Sequence, residues 1–463
     1  MVSNSDPMSV PLPDPLYTTA YQNGIIDPLW PERFGGDIGE VAALIARLQA
    51  AGRLAGASHP DEAELHARYQ SDYAGRTARQ NNLTLIRANI RSSCRSELVQ
   101  VLTLLTQFAV EEMNRKPSIE HVAVLEHVPA SYRVTVTLGF GSTLFVDASG
   151  VDRFGIRSHR PKHLKSMPAF PGDAPGFDPA HTATDLIIVV CSDHPYVNVA
   201  TTRFFVEYFN KRFRDANPGI ATDRDLLHFV SIEEGFARKD KREFLRFDDG
   251  IDNVHMGADD LHRFVYVEET DHEPSWCLHG SYLVYRKIRE DMPRWEALKE
   301  ARQEEHIGRH KESGAPLSRQ VAGADGMTPV YPDPTDPADG PLNAHVRKVQ
   351  PRRNEPDLFG ISDLERRFVR RPYPFFDGLD PSTGTTVNGL QFIAFMKSIQ
   401  EQFEHVTNMW QMNENFPVAD TGIDALFAHR ILSVIDGGYY FCPPGLRREG
   451  DYFGAPLFES LPT

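Results

Sequence analysis

The chain has 463 residues, of which 41% are hydrophobic and 24% charged, enough for a full core and outside the intrinsically disordered class. Its formal net charge of −15 disfavours nucleic acid and anionic lipid as partners, because both are negatively charged. The four cysteines, Cys94, Cys191, Cys277 and Cys442, lie far apart without a CxxC pair, which argues against a structural zinc site or a disulfide framework.

The N-terminal half has the pattern of an irregular arm followed by an α+β domain. Residues 1–35 are rich in Pro, Asp and Gly and show neither a secretory signal nor a twin-arginine leader, so we expect a cytoplasmic protein without membrane contact. Apolar periodicity then predicts a helix over 37–52, a helix over 96–113, strands over 132–138 and 184–191, and a helix over 201–214. This order is typical of an α+β domain rather than a doubly wound one.

The C-terminal half predicts a second α+β domain. In chain order we expect a strand over 281–288, a helix over 294–306, a long loop over 312–341, a strand followed by a helix over 388–410, and a short helix over 423–435. We place the arm at residues 1–35, the N-terminal domain at 36–220 and the C-terminal domain at 221–463.

An acidic turn is the first of three segments that can carry chemistry. In RFDDGIDN (246–253), Asp249 precedes Gly250, and this pair favours a tight turn with positive φ. An acidic surface turn would have the same pattern.

Two cationic segments follow the acidic turn. NAHVRKVQPRR (343–353) places His345 among basic residues, as a solvated charged face also would. RRFVRRPYPF (366–375) has four arginines interrupted by apolar residues. If this segment is a strand, one arginine can be drawn inward toward a carboxylate or propionate, and a charged edge strand is the alternative. The order of the acid, the histidine and the arginine pair along the chain is stronger evidence for a functional site than any one of them.

The order of these segments resembles the dye-decolorizing (DyP-type) haem peroxidase family. The C-terminal motifs are FDDGIDN (247–253), GSYLVYRKIR (280–289), AHVRKVQPRR (344–353), RRPYPF (370–375), GLQFIAF (389–395) and GGYYFCPP (437–444). The N-terminal motifs are LGFGSTLF (138–145), RPKHLKSMPAFPGD (160–173) and ATDLIIVVCSD (183–193). The resemblance extends from about residue 125 to the end of the chain.

The resemblance implies an α+β fold and a cofactor. It implies two ferredoxin-like domains, with antiparallel sheets flanked by helices, and haem b (iron protoporphyrin IX) held mainly by the C-terminal domain. His345 matches the family's axial ligand of the haem iron. A hydrogen bond from the other ring nitrogen would tune the reduction potential of the iron. The candidate acceptors of that bond are Glu414, Asp420 and Asp424.

The resemblance also implies the residues that react with peroxide. Asp249 matches an aspartate that moves a proton between the two oxygens of H2O2. Arg370 matches an arginine whose charge stabilises the peroxide, with Arg371 as the alternative because a one-residue shift exchanges the faces of a strand. Leu390 and Phe392 match apolar residues that crowd the same pocket.

Two backbone stretches match residues that touch the haem. They are Gly250, Ile251 and Asp252 after the aspartate, and Gln350, Pro351 and Arg352 after the histidine. Arg352 is a candidate partner for a haem propionate, with a surface role as the alternative.

Two positions depart from the family's pattern. Arg246 replaces the first glycine of the family's GxxDG turn, so the turn before Asp249 is expected to differ in shape. Pro372 follows the arginine pair where the family has glycine, and it removes a backbone donor there.

The implied activity is reduction of H2O2 through a ferryl intermediate, with oxidation of dyes, phenolic compounds or Mn(II). The expected partners are therefore H2O2 and a small-molecule reductant, with no nucleic acid and no membrane, and a homo-oligomer is left open. Bulky dyes would be oxidised through surface aromatic residues, and the candidates are Trp276, Tyr282, Tyr285 and Tyr373. The alternative for each is an ordinary aromatic of the core or of an edge strand. The alternatives are a haem-handling or haem-storage protein and a haem-free protein with a retired site.

Overall fold

The computed structural model describes residues 80–113, 134–192, 194–217, 225–238, 242–251, 253, 258–322, 327–353, 355–446 and 450–461. The predicted arm and the helix predicted over 37–52 lie outside these residues.

The described residues form strands and helices in both halves of the chain. The strands are β1 Asn82–Ile90, β2 Thr135–Gly141, β3 Leu186–Ser192, β4 Leu227–Phe236, β5 Ser281–Glu290, β6 Val321–Ala322, β7 Thr328–Pro329, β8 Val369–Arg370, β9 Tyr373–Asp380, β10 Thr385–Met396 and β11 Leu432–Cys442. The α-helices are α1 Arg95–Met113, α2 Ser142–Phe145, α3 Pro179–Thr182, α4 Pro195–Arg203, α5 Phe209–Ala216, α6 Ala258–Phe264, α7 Met292–Glu296, α8 Glu300–Ile307, α9 His345–Val349, α10 Ala425–Ala428 and α11 Ala455–Glu459. Wide π-helical turns span Phe204–Tyr208, Ile399–Glu404 and Val406–Gln411.

Nine of the described strands form one antiparallel sheet that contains both halves of the molecule. Its order is β4-β1-β3-β2-β11-β5-β10-β8, with β9 also paired to β10. The halves join where β2 pairs with β11, through Phe140 with Phe441 and Gly141 with Tyr440. The expected α+β class with antiparallel sheets is confirmed.

Strand β4 belongs to the N-terminal half of the sheet. It pairs with β1 along its whole length, although the boundary predicted at residue 220 assigns it to the C-terminal domain. Gly235 in β4 also lets β9 approach, because a Cβ atom there would lie 2.7 Å from Cβ of Tyr373. The outer strands of the two halves therefore meet at this point.

Both faces of the sheet are buried at β3, which explains the continuous apolar run predicted to be a central strand. In β3, Ile188 and Val190 pack in the core beneath α1, whereas Ile187 and Val189 pack on the opposite face with residues of α6. A strand covered on both sides needs apolar residues at every position rather than alternate ones.

Most predicted elements are confirmed, and the differences have local causes. Helix α1 matches the helix predicted over 96–113. The helix predicted over 201–214 corresponds to the end of α4, the wide turn that follows it and most of α5. The helix predicted over 294–306 is divided into α7 and α8. The short helix predicted over 423–435 is wrong beyond residue 428, because Leu432 begins β11 and pairs with Glu290.

Candidate active site

One cavity in the C-terminal half collects most of the residues singled out from the sequence. The predicted residues that line it are Asp249, Gly250, Ile251, His345, Gln350, Arg352, Arg370, Leu390 and Phe392. Pro351 is buried but does not line the cavity, and Asp252 lies outside the described residues.

His345 is held by a buried carboxylate. It begins α9, and its Nδ1 donates to Oδ2 of Asp424 over 2.6 Å. Asp424 is fully buried and accepts two further bonds, from Nε2 of Gln411 and from the backbone NH of Leu426, both at 3.0 Å. With the proton on Nδ1, the lone pair lies on Nε2, which is the form of imidazole that binds a metal. Asp424 is thus the acceptor that the sequence left open.

A buried lysine fixes the loop that leads to Asp424. Lys348, one turn after His345, donates to the carbonyl oxygens of Asn413 and Phe416 at 2.7 Å and of Gly422 at 2.9 Å. Burial lowers its pKa to about 8, and the charge of Asp424 partly opposes that shift. This residue was not predicted, because in the sequence Lys348 is one more cation in a basic segment.

Arg370, and not Arg371, faces the cavity. The two lie on opposite sides of the chain: Arg371 is buried elsewhere and donates to Oε1 of Gln80 over 3.0 Å. Burial lowers the pKa of Arg370, and the carboxylate of Asp249 partly opposes this shift.

The acidic turn and β8 are joined by specific hydrogen bonds. The Asn253 side chain accepts from the backbone NH of Arg370 at 3.1 Å and donates to its carbonyl oxygen at 2.7 Å. Nη2 of Arg370 also donates to the carbonyl oxygen of Ile251 over 3.3 Å. These contacts fix the Arg370 backbone relative to the turn that carries Asp249.

The turn before Asp249 has a left-handed backbone conformation at Arg246. Arg246 has φ 69°, in the left-handed region that glycine adopts freely and that costs other residues about 1–2 kcal/mol. The Glu243 carboxylate supports it by accepting the backbone NH groups of Leu245 at 2.5 Å and Phe247 at 3.3 Å. A conformation that is costly for arginine is thus held in place by contacts on both sides of Arg246.

Pro372 lies at a break between β8 and β9. The backbone NH of Arg371 donates to the carbonyl oxygen of Ile393 at 2.8 Å, and pairing with β10 resumes at Tyr373. The missing donor of Pro372 therefore falls between two strands, and the residue lines the cavity.

Two buried glutamates in the same cavity were missed by the sequence analysis. Glu243 and Glu290 both line it and are at least nine-tenths buried. Burial raises the pKa of Glu243 to about 8 and that of Glu290 well above its ordinary value, and the charge of Asp249 adds to both shifts. Oε2 of Glu290 is buried without a hydrogen-bond partner among the described residues.

The substitution Glu290→Gln is expected to make stability less dependent on pH. Because the pKa of Glu290 is raised on folding, the stability that its protonated form contributes is complete below the ordinary pKa of about 4.3. That stability falls as pH rises toward the raised pKa, by up to about 1.4 kcal/mol per pH unit. Gln cannot ionise, so the melting temperature of the variant minus that of the wild type should grow from about pH 5 to about pH 8. The exposed Glu312→Gln is the control, and a constant difference for Glu290→Gln would contradict the assignment.

An excess of cationic side chains lines another part of the cavity. Arg352, Arg367 and Arg370 lie close enough to affect one another. Burial first, and then the charges of Arg367 and Arg370, lower the pKa of Arg352 to about 10. Mutually repelling guanidinium groups at a cavity favour an anionic ligand there.

Two family models match this chain. The model described as Dyp-type peroxidase, N-terminal, matches residues 76–214, and that described as Dyp-type peroxidase, C-terminal, matches residues 240–447. The chain belongs to the Dyp-type peroxidase family. Membership confirms the resemblance seen in the sequence and the expected haem cofactor.

Several known proteins are similar to this Dyp-type peroxidase. The deferrochelatase of Escherichia coli K12 is 27% identical over 403 residues, which are 83% of this chain and 84% of that protein. Ferric DtpA from Streptomyces lividans is 26% identical, with a TM-score of 0.64 over 83% of this chain and 94% of its own. A variant of DypB from Rhodococcus jostii RHA1, solved in complex with heme, is 18% identical with a TM-score of 0.55 over 81% and 97%, and supports the fold alone.

The aromatic residues proposed for dye oxidation are not at the surface of this Dyp-type peroxidase. Trp276, Tyr282, Tyr285 and Tyr373 all belong to the buried core, and none is more than 3% exposed. Their prediction as surface radical sites is therefore wrong: adjacency to a motif in the sequence did not indicate exposure. In the part of the chain that the structure describes, no helix has the length and apolarity needed to cross a membrane.

Proposed function

We propose that this chain is a haem b-dependent peroxidase that reduces H2O2 and oxidises dyes, phenolic compounds or Mn(II). The observation that carries the proposal is the presence, in one cavity, of a carboxylate-bound histidine and of an aspartate near a buried arginine. Binding of haem requires only the histidine, whereas reaction with peroxide also requires the aspartate and the arginine.

The residues of the cavity fit a haem group. Nε2 of His345 would bind the iron, since Nδ1 is bonded to Asp424. Arg352 and Arg367 would pair with the two propionates, which supply the negative charge that these arginines favour. Leu390 and Phe392 give the cavity apolar lining. When bound, the haem iron supplies the redox chemistry that the side chains lack.

The protein's own contribution to the reaction is proton transfer and electrostatic stabilisation. Asp249 would take the proton from one oxygen of H2O2 and deliver it to the other. Arg370 would stabilise the negative charge that develops on the peroxide while its position is held through Asn253. The charge of Arg370 acts more strongly inside the protein than in bulk water, because the effective dielectric constant there is lower.

A titration with H2O2 tests this function directly. Haem-loaded protein should change its Soret spectrum with one equivalent of H2O2 and recover the starting spectrum when a phenol, a dye or Mn(II) is added and oxidised. A spectrum that does not respond to H2O2, in protein that binds haem stoichiometrically, would exclude the peroxidase.

The deferrochelatase relative favours a second candidate, a haem-handling protein, because it matches most of both chains. Its name denotes removal of chelated iron. Anaerobic incubation of the haem-loaded protein with a reductant and an iron chelator, but without H2O2, distinguishes the candidates. Release of iron with fluorescence of metal-free porphyrin would support haem handling, and retention of the haem spectrum would favour the peroxidase.

A further inference from the structure

We propose that His262, Glu268 and His279 form a binding site for a divalent transition-metal ion of the Zn(II) type. One ligand atom from each lies within 4.8 Å of those of the other two. Among the described residues, this is the only such group of three His, Cys, Asp or Glu side chains that is found. None of the three lines the candidate active site, so the proposal does not rest on the proposed function.

Helix α6 and a short turn place the first two ligands. His262 lies in the last turn of α6, and its Nδ1 is hydrogen bonded to Oε1 of Glu268. Glu268 precedes the 3-10 turn Glu269–Asp271, and its carboxylate also accepts the backbone NH of Asp271. Asp271 returns a bond from its own carboxylate to the backbone NH of Glu268 at 2.8 Å. The Glu268 carboxylate is therefore held in place before any metal binds.

His279 is held facing this pair by an unusual backbone conformation. Its φ is 64°, in the left-handed region that is costly for a residue other than glycine. Two backbone hydrogen bonds support it, from His279 NH to the Val267 carbonyl oxygen at 2.8 Å and from Val267 NH to that of Gly280 at 2.9 Å. Because Val267 directly precedes Glu268 in the chain, these bonds also fix the two ligands Glu268 and His279 relative to each other.

The unsatisfied nitrogen of His279 is independent support for a ligand. Its Nδ1 is buried and has no hydrogen-bond partner among the described residues, although the ring of His262 lies only 6.3 Å away between centroids. A buried polar atom without a partner costs about 1–3 kcal/mol. Coordination by a metal ion, directly or after a flip of the ring, would remove that cost.

The donor set determines the class of metal. Two imidazole nitrogens and one carboxylate suit Zn(II) and its neighbours Co(II), Ni(II) and Cu(II), whereas Mg(II) and Ca(II) prefer oxygen ligands. Tetrahedral bonds of about 2.0–2.2 Å place the ligand atoms about 3.3–3.6 Å apart, so a pair separated by as much as 4.8 Å would have to close by more than about 1 Å. The exposed ring of His262 can make that movement once its hydrogen bond to Glu268 opens, and water would complete the coordination.

Zinc titration of the haem-loaded full-length protein tests the proposal. We expect calorimetry to show one Zn(II) equivalent bound, and the zinc K-edge spectrum to show nitrogen and oxygen ligands with imidazole scattering. His262→Ala and His279→Asn should each weaken binding at least about tenfold. Asn is chosen at 279 because it tolerates a positive φ. Exposed Cys94 is replaced by Ser in every protein to remove a competing thiol.

His272→Asn is the matched control. His272 is exposed, lies between Glu268 and His279, and also has a positive φ, of 55°, but is not one of the three ligands. It should leave zinc binding unchanged, and an unaltered Soret band and circular dichroism spectrum would show that each variant is folded. The proposal fails if the unsubstituted site binds no stoichiometric Zn(II), or if His279→Asn binds it as tightly as the control does.

Discussion

Replacing Asp249 by Asn is expected to slow the reaction with H2O2 by about 10²- to 10⁴-fold while haem binding is retained. Asn has nearly the same shape but cannot take a proton from peroxide at neutral pH. Arg370→Leu should slow the same step by about 10²- to 10³-fold, because it removes the buried charge that stabilises the peroxide. Stopped-flow recording of the Soret change at increasing H2O2 concentration gives the second-order rate constant for each variant.

Arg371→Leu is the control for the arginine substitution. Arg371 is adjacent in sequence and buried, but it does not line the cavity and donates to Gln80 instead. Its loss should lower the melting temperature, because Gln80 loses a partner, and leave the rate per bound haem unchanged. Rates that are unaffected by both Asp249→Asn and Arg370→Leu would refute these roles and leave only the haem-binding part of the site.

The choice between Arg370 and Arg371 shows what local sequence could not decide. Both residues match the motif, and neighbouring residues of a strand point to opposite faces, so the answer depends on register. The register comes from pairing of β8 with β10, in which Arg370 lies opposite Ala394. That pairing joins segments more than twenty positions apart, so the residues of RRPYPF alone cannot predict which arginine faces the cavity.

The carboxylates in and around the cavity also depend on contacts between distant parts of the chain, which the local sequence does not show. Asp249 could be predicted because a turn and an ordered series of motifs identified it. Asp424 was only one of three candidates, since its contact with His345 spans 79 positions. Glu243 and Glu290 were not predicted, because a glutamate in a charged segment or at a strand end is usually exposed. Their burial depends on how β5 and the acidic turn pack around one cavity.

The backbone at Arg246 could not be predicted from the sequence either. Arg246 adopts the left-handed region, and the Glu243 carboxylate accepts the backbone NH groups of the residues on both sides of it. The sheet was predictable only in part: continuous or alternating apolar runs identified β3 and β5, because burial of their faces requires those residues, but β1, β4 and β11 were not predicted.

The substitution His345→Ala is expected to abolish stoichiometric haem binding and with it the Soret band. Alanine offers no lone pair to the iron, and the arginines can retain only the propionates. Haem titration followed by absorption spectroscopy measures the loss. The exposed His429→Ala, outside the cavity lining, is the matched control and should bind haem normally. Full binding by the His345 variant would show that another residue holds the iron.

Asp424→Asn removes the negative charge beside His345 at nearly constant side-chain shape. Asn has one acceptor oxygen, so it can cap α10 or accept from His345 but cannot replace both carboxylate oxygens, and it lacks the charge that increases the basicity of the imidazole. We therefore expect haem to remain bound, the reduction potential of the iron to rise, and activity to fall by about 10- to 100-fold. Redox titration of the Soret band tests this directly. An unchanged potential would contradict an electronic role for the Asp424 carboxylate.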